Sequence, residues 1–298
     1  MYLSTKVVDN KYAKIQGHFF QYLFEMNNFL QRALTGILFV VAVLGGIWWH
    51  EYTYLFIFAV ISFLGILEIK GLVKAGGVHI QTGWAIAIGL YAYIVSFFVI
   101  ADSISIYWMF LLAPIIAGVF ITELYRKSDT PVINIACTFF APLYVALPFS
   151  FLHILAFYNG EYSSSLLFAF LILIWGNDTG AYLIGSTLGR HRLFERISPK
   201  KSWEGAIGGF IITLLIAFVL SKIIANFTLI NWLFIGGITS IMGVFGDLTE
   251  SLIKRSVNKK DSGTLLPGHG GILDRFDAVI FAAPMVCGYL IFIKLFNC

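Results

Sequence analysis

Long apolar segments recur along almost the whole chain, and this recurrence limits the possible folds more than any other feature. A helix needs about 20 mostly apolar residues to cross the hydrocarbon core of a bilayer. Nine segments approach that length: Ala33–Trp49, Tyr54–Ile69, Thr82–Ala101, Ile104–Thr122, Val132–Leu155, Ser165–Leu188, Gly205–Ile224, Leu229–Phe245 and Phe276–Phe296. The chain of 298 residues is 59% hydrophobic and 12% charged. A water-soluble domain cannot hide so much apolar surface, because folding at this size removes only about 75% of the unfolded area from water. Disordered chains have the opposite composition. The sequence therefore predicts an all-α, polytopic integral membrane protein with about nine transmembrane helices. Pro142 and Pro148 predict a kink in the fifth. Cys137, Cys287 and Cys298 have no paired spacing, so neither a disulfide framework nor a zinc site is expected.

Basic residues orient the spans. Cytoplasmic loops of membrane proteins collect lysine and arginine. With the N-terminus cytoplasmic, 18 of the 20 basic residues fall on the inner side, leaving only Lys222 and Lys294 outside. A net charge of +4 is explained by this bias, so no nucleic-acid partner is expected. The first 25 or so residues are mixed and polar and do not resemble a secretory signal. Translation from Met26 and a short interfacial helix using Phe19, Phe20, Leu23 and Phe24 are both open readings. The resulting division is a cytoplasmic segment over 1–32, a transmembrane bundle over 33–155, and a catalytic transmembrane domain with two cytoplasmic loops over 156–298.

Polar residues able to do chemistry crowd into three clusters. Asn177 and Asp178 lie inside the sixth span, where an aspartate costs about 2.5–3.5 kcal/mol on insertion scales and is usually functional or paired. Asp178, Tyr182, Gly185 and Gly189 share one helical face, and the small residues Ala181, Gly185 and Gly189 allow a close helix contact. The second cluster, Ser198-Pro199-Lys200-Lys201-Ser202-Trp203-Glu204-Gly205, opens the seventh span. A helix N-terminus beside two lysines suits phosphate, although lysines flanking a span often only anchor topology.

The third cluster runs from Gly246 to Asp277 and holds four aspartates, one glutamate and five basic residues in 32 positions. Asp247, Glu250 and Lys254 would share a face of an amphipathic helix near the inner surface, with Leu248, Leu252 and Ile253 opposite. Carboxylates hold hard divalent cations, magnesium often bridges carboxylates to a substrate phosphate, and lysine and arginine neutralise phosphate charge. Together with a glycine-rich turn this mixture points to metal-assisted phosphoryl or nucleotidyl transfer. A salt-bridged surface loop is the plain alternative. The chain has no GxxxxGK, HExxH or GxSxG motif.

Ser251 to Asp277 resembles the signature of the phosphatidate cytidylyltransferase family, also called CDP-diacylglycerol synthases. Ser251, Ile253, Lys254, Arg255, Lys260, Asp261, Gly263, Leu266 and Pro267 match, followed by His269, Gly270, Gly271, Ile272, Asp274, Arg275, Phe276 and Asp277. The likeness extends upstream through Gly246-Asp247-Leu248, Asn177-Asp178 and the Ser198–Gly205 block.

The resemblance implies that CTP and phosphatidic acid give CDP-diacylglycerol and pyrophosphate at a cytoplasm-facing site in the inner membrane. It implies Asp178, Asp247, Asp274, Lys254 and Arg275 as catalytic residues, with Asp247 and Asp274 as ligands of magnesium (Mg2+). Ser198, Lys200, Lys201, Ser202, Arg255, Lys260, Asp261, His269, Gly270, Gly271 and Asp277 become substrate-binding residues, with Glu204 and Glu250 as weaker candidates. A second cation is allowed and a homodimer favoured. The competing readings are a CTP-dependent polyprenol or lipid-alcohol kinase and an ion or solute transporter. Acyl-chain preference and the choice between CTP and dCTP are not legible.

Overall fold

A computed structural model of the chain describes residues 35–263 and 270–296. His269 and the stretch around Met1 and Met26 lie outside the described residues. Ten α-helices are present among those described. The first, α1, is an apolar helix over Thr35–Trp49. Then come α2 (Glu51–Ala75), α3 (Thr82–Ile100), α4 (Leu112–Arg126, entered through a 3-10 turn at Ile106–Leu111), α5 (Pro131–Tyr144), α6 (Ala146–Ala156), α7 (Ser164–Leu188), α8 (Trp203–Ile223), α9 (Leu229–Ser256) and α10 (Leu273–Phe296). Counting the 3-10 turn with α4, and α5 with α6, eight helical units are long and apolar enough to cross a membrane. The protein is thus a polytopic helical membrane protein, with α1 as a ninth, shorter apolar helix.

The break expected in the fifth span occurs at Val145, between α5 and α6. Pro142 sits inside α5 and has no N–H to continue its hydrogen-bond ladder. Two features depart from the sequence reading. The all-α pattern is interrupted by a small antiparallel hairpin, β1 (Arg192–Phe194) with β2 (Ser198–Ser202), in which Arg192 faces Ser202 and Phe194 faces Ser198. And the stretch expected to form a separate surface helix after Phe245 is the last part of α9, continuous from Leu229 to Ser256. Its charged face points inward, with Glu250 and Lys254 buried, while Leu252 is exposed. Hydropathy fails at Phe245 because residues buried beyond it, Glu250 and Lys254, are polar partners and not apolar ones.

Helix packing brings the clusters together. α7 lies along α8, and α9 lies along α10. The small stripe on α7 does what its spacing suggests: a Cβ on Gly205 of α8 would stand 2.8 Å from the Ala181 carbonyl oxygen and 3.1 Å from Gly185 Cα. Below the site, Asn177 ties α7 to α9 by accepting from the Ser240 hydroxyl at 2.5 Å. Phe276, between Asp274 and Asp277 in the chain, anchors the start of α10. Its ring lies 5.4 Å from Phe149, 6.0 Å from Phe58 and 5.8 Å from Phe39, which ties α10 to α6, α2 and α1. With Phe276 locked into this core, the neighbouring carboxylates point elsewhere, into the site.

Candidate active site

Two carboxylate groupings form where α7, α9 and α10 converge. The first centres on Lys254, whose Nζ lies 2.7 Å from Glu250 Oε2 and 2.5 Å from Asp274 Oδ1. The other oxygen of Asp274, Oδ2, accepts from Gly271 N at 2.8 Å, Ser262 Oγ at 3.0 Å and Ser262 N at 3.2 Å. Gly270 has φ +80°, and a Cβ there would also meet Asp274 Oδ2 at 2.7 Å. Glycine is therefore required twice over, by backbone conformation and by space. Glu250 Oε1 is buried with no hydrogen-bond partner among the described residues.

The second grouping centres on Asp247. It is ion-paired with Lys201 of β2, and its Oδ1 accepts from Ser251 Oγ at 3.3 Å. Asp277 lies within electrostatic reach of Asp247, Asp178 and Lys201. Gly246 makes this convergence possible, since a Cβ there would stand 2.2 Å from the Asp277 carbonyl oxygen. The two backbones come together at that point, which brings Asp247 and Asp277 near each other.

Two cavities share Asp178. One, of about 300 Å³, has walls from Phe39, Val40 and Val43 of α1 and Leu171 and Trp175 of α7, together with Asp178, Asp274, Arg275 and Asp277. Its lining is thus apolar in part and charged in part. The other, of about 410 Å³, is lined by Asp178, Tyr182, Lys200, Lys201, Ser202 and Asp247, among others.

Other expected site residues lie apart. Ser198 pairs with Phe194 in the hairpin, and Arg255, Lys260 and Asp261 are exposed; none of these lines either cavity. Arg255 donates to the Lys259 carbonyl at 3.2 Å. Ser202 lines the second cavity but also caps α8, accepting from Gly205 N at 3.1 Å. Glu204 turns to the surface, where it accepts from the Arg190 and His191 backbone N–H groups and pairs with the His191 ring at 2.6 Å.

One carboxylate at the site escaped the sequence reading. Glu68 of α2 is buried and accepts from Ile272 N at 2.7 Å, Leu273 N at 3.0 Å and Ser262 Oγ at 2.9 Å. An ionisable residue inside an apolar span was its available signal, the same one that marked Asp178.

A sequence model of the cytidylyltransferase family matches residues 30–293. The chain belongs to the cytidylyltransferase family. Among individual relatives, the phosphatidate cytidylyltransferase of Staphylococcus saprophyticus is 48% identical over 123 residues, which is 41% of this chain and 46% of that protein. The Staphylococcus aureus protein of the same name is 46% identical over 123 residues, again 41% of this chain and 46% of the relative. The Bacillus subtilis one is 42% identical over 128 residues, 42% of this chain and 47% of the relative. The matched stretch therefore spans about half the length of these curated relatives. Membership of the family agrees with the resemblance carried by Ser251–Asp277.

Proposed function

We propose that this chain is a phosphatidate cytidylyltransferase acting in phospholipid biosynthesis. A phosphate oxygen of phosphatidic acid attacks the α-phosphorus of CTP in line, the bond to the β-phosphate oxygen breaks, and pyrophosphate leaves with the bonding pair. The product is CDP-diacylglycerol. The observation that best supports this is the pair of cavities meeting at Asp178. A cavity lined by both apolar and charged side chains suits a lipid phosphate, and the lysine-lined one beside it suits the nucleotide's phosphates.

The substrate phosphate is already nucleophilic, so catalysis depends on positioning and on stabilising charge on the phosphoryl oxygens. Lys200 and Lys201 supply positive charge in the second cavity, and Arg275 supplies it in the first. Lys254 holds Asp274, and the Gly270-Gly271 turn holds its other oxygen. Asp178 stands where the two substrates would meet.

Hard carboxylate oxygens suit magnesium: Asp178, Asp247 and Asp277 lie within electrostatic reach of one another and of Lys201, and Glu250 Oε1 is buried with no hydrogen-bond partner among the described residues, although no three such groups stand close enough there to form a complete ion site. Asp247 and Asp274 are the proposed ligands; each meets a lysine, Asp247 with Lys201 and Asp274 Oδ1 with Lys254, and would exchange that partner for the ion. When bound, the ion would neutralise charge on the transferring phosphoryl group. Ser198, Arg255, Lys260, Asp261 and His269 keep a proposed part in substrate binding from the loops, and a second cation and a homodimer belong to the same proposal.

The basic-residue bias supports a cytoplasm-facing site. The division at residue 156 is likewise proposed, with the second half carrying most of the chemistry. Isotope-labelled CTP tests the reaction class. Label at the α-phosphate should appear in the lipid product and label at the γ-phosphate in pyrophosphate. Transfer of the γ-label to a lipid alcohol would instead identify a kinase.

A further inference from the structure

We propose that Glu68, in the second membrane helix, is a positioning residue of the active site: it ties Ser262, within the α9–α10 connection, to the start of α10 and thereby sets the place of Asp274. The inference rests on the nucleotidyl-transfer reading above.

Glu68 lies 194 residues before Ser262 in the chain, on a helix outside the three that carry the clusters. Both its oxygens act as acceptors. Ile272 N and Leu273 N open α10, where backbone N–H groups have no partner within the helix. Glu68 supplies that partner from α2. The same carboxylate takes up Ser262. One side chain thus joins Ser262 to the start of α10.

This tie bears directly on Asp274. The Ser262 hydroxyl lies 2.9 Å from Glu68 Oε2 and 3.0 Å from Asp274 Oδ2. A hydroxyl has one proton, so it joins two carboxylates by donating to one at a time. All three donors to Asp274 Oδ2 come from Ser262, which Glu68 holds directly, and from Gly271, the neighbour of Ile272, which Glu68 also holds. Moving these residues moves Asp274, and with it the lysine that Asp274 meets. Space around the carboxylate is correspondingly tight. A Cβ on Gly271 would stand 2.4 Å from Glu68 Oε2 and 2.0 Å from Ser262 Oγ, and one on Gly263 would stand 2.7 Å from Glu68 Oε1. A side chain on the second glycine of the Gly270-Gly271 pair would thus displace Ser262 and Glu68 from their present places.

The test uses the full-length protein in lipid nanodiscs and compares it with Glu68→Gln. The amide keeps the shape but sets an N–H donor against groups that are themselves donors. Hydrogen–deuterium exchange at Ile272 and Leu273 should quicken by about tenfold or more, as expected when a charge-assisted hydrogen bond is lost. The kcat should fall by roughly tenfold or more, with the KM for CTP changed less than about threefold, because a displaced catalytic group affects the transition state more than ground-state binding. If Glu68→Gln does not fold, Ser262→Ala takes its place. It leaves both backbone bonds of Glu68 and removes only the bridge, and should lower kcat severalfold while the protein stays folded with a modest fall in melting midpoint; normal kcat in Ser262→Ala would overturn the proposal. Unchanged exchange in Glu68→Gln would overturn the proposal, and so would faster exchange with normal kcat. Failure of the unaltered protein to make CDP-lipid would count against the reaction instead, and the exchange result would still report on the tie.

Discussion

Lys254 of α9 meets Asp274 of α10 at 2.5 Å, and the same ammonium holds Glu250 at 2.7 Å. The three side chains are largely buried, with 11%, 15% and 2% of their surfaces exposed for Lys254, Asp274 and Glu250. Removing the lysine from such a cluster leaves two carboxylates without their cation. Lys254→Met should therefore lower stability by about 3–5 kcal/mol, the usual cost of breaking a buried pair from one side. Thermal unfolding in detergent reads this directly. An unchanged midpoint with full turnover would remove Lys254 from both roles.

Asp274→Asn keeps the size of the side chain and removes its charge. Turnover should drop by about 100-fold or more, as when a preorganised electrostatic group is lost from an active site. Membrane insertion should be intact, because the Phe276 anchor is untouched. Normal turnover in a correctly inserted variant would contradict the assignment.

Gly246→Ala tests the close approach of α9 and α10. The added methyl would meet the Asp277 carbonyl oxygen at 2.2 Å, and that neighbour is backbone, which cannot swing aside. Overpacking of this kind costs about 1–3 kcal/mol. Both the melting midpoint and kcat should fall, because Asp247 and Asp277 are carried apart together. Loss of neither would mean that the helices separate freely at this point.

Lys222→Met is the control. Lys222 lies in the last turn of α8, its ammonium 5.4 Å from the centre of the Phe218 ring, and it lines neither cavity. Turnover should stay within about twofold of the parent, since surface substitutions away from such features have small effects. A large loss would show that the far end of α8 is coupled to the site.

Much of the architecture was legible because membrane helices declare themselves by length and apolarity. The nine expected spans correspond to the eight long helical units plus α1. The stripe at Ala181, Gly185 and Gly189 foretold the α7–α8 contact, and the Ser198–Gly205 block foretold the start of α8. Three things were hidden, each for a physical reason. The hairpin at Arg192–Ser202 is built from residues typical of loops, so no alternating pattern marks it. The end of α9 was misplaced because its inward face is polar. Glu68 was passed over because it sits alone in an apolar span, with every partner about 200 positions away. Within the signature, proximity in sequence did not mean a shared site: Lys254, Asp274 and Gly271 meet, while Arg255, Lys260 and Asp261 stay at the surface.

The most direct test of the central claim is turnover by the purified full-length protein in micelles containing phosphatidic acid, CTP and magnesium, with pyrophosphate and CDP-lipid followed together. The account predicts equal release of both products, abolished by EDTA and restored by added magnesium. A folded preparation that yields neither product, or one that makes CDP and a phosphorylated lipid alcohol instead, would contradict it.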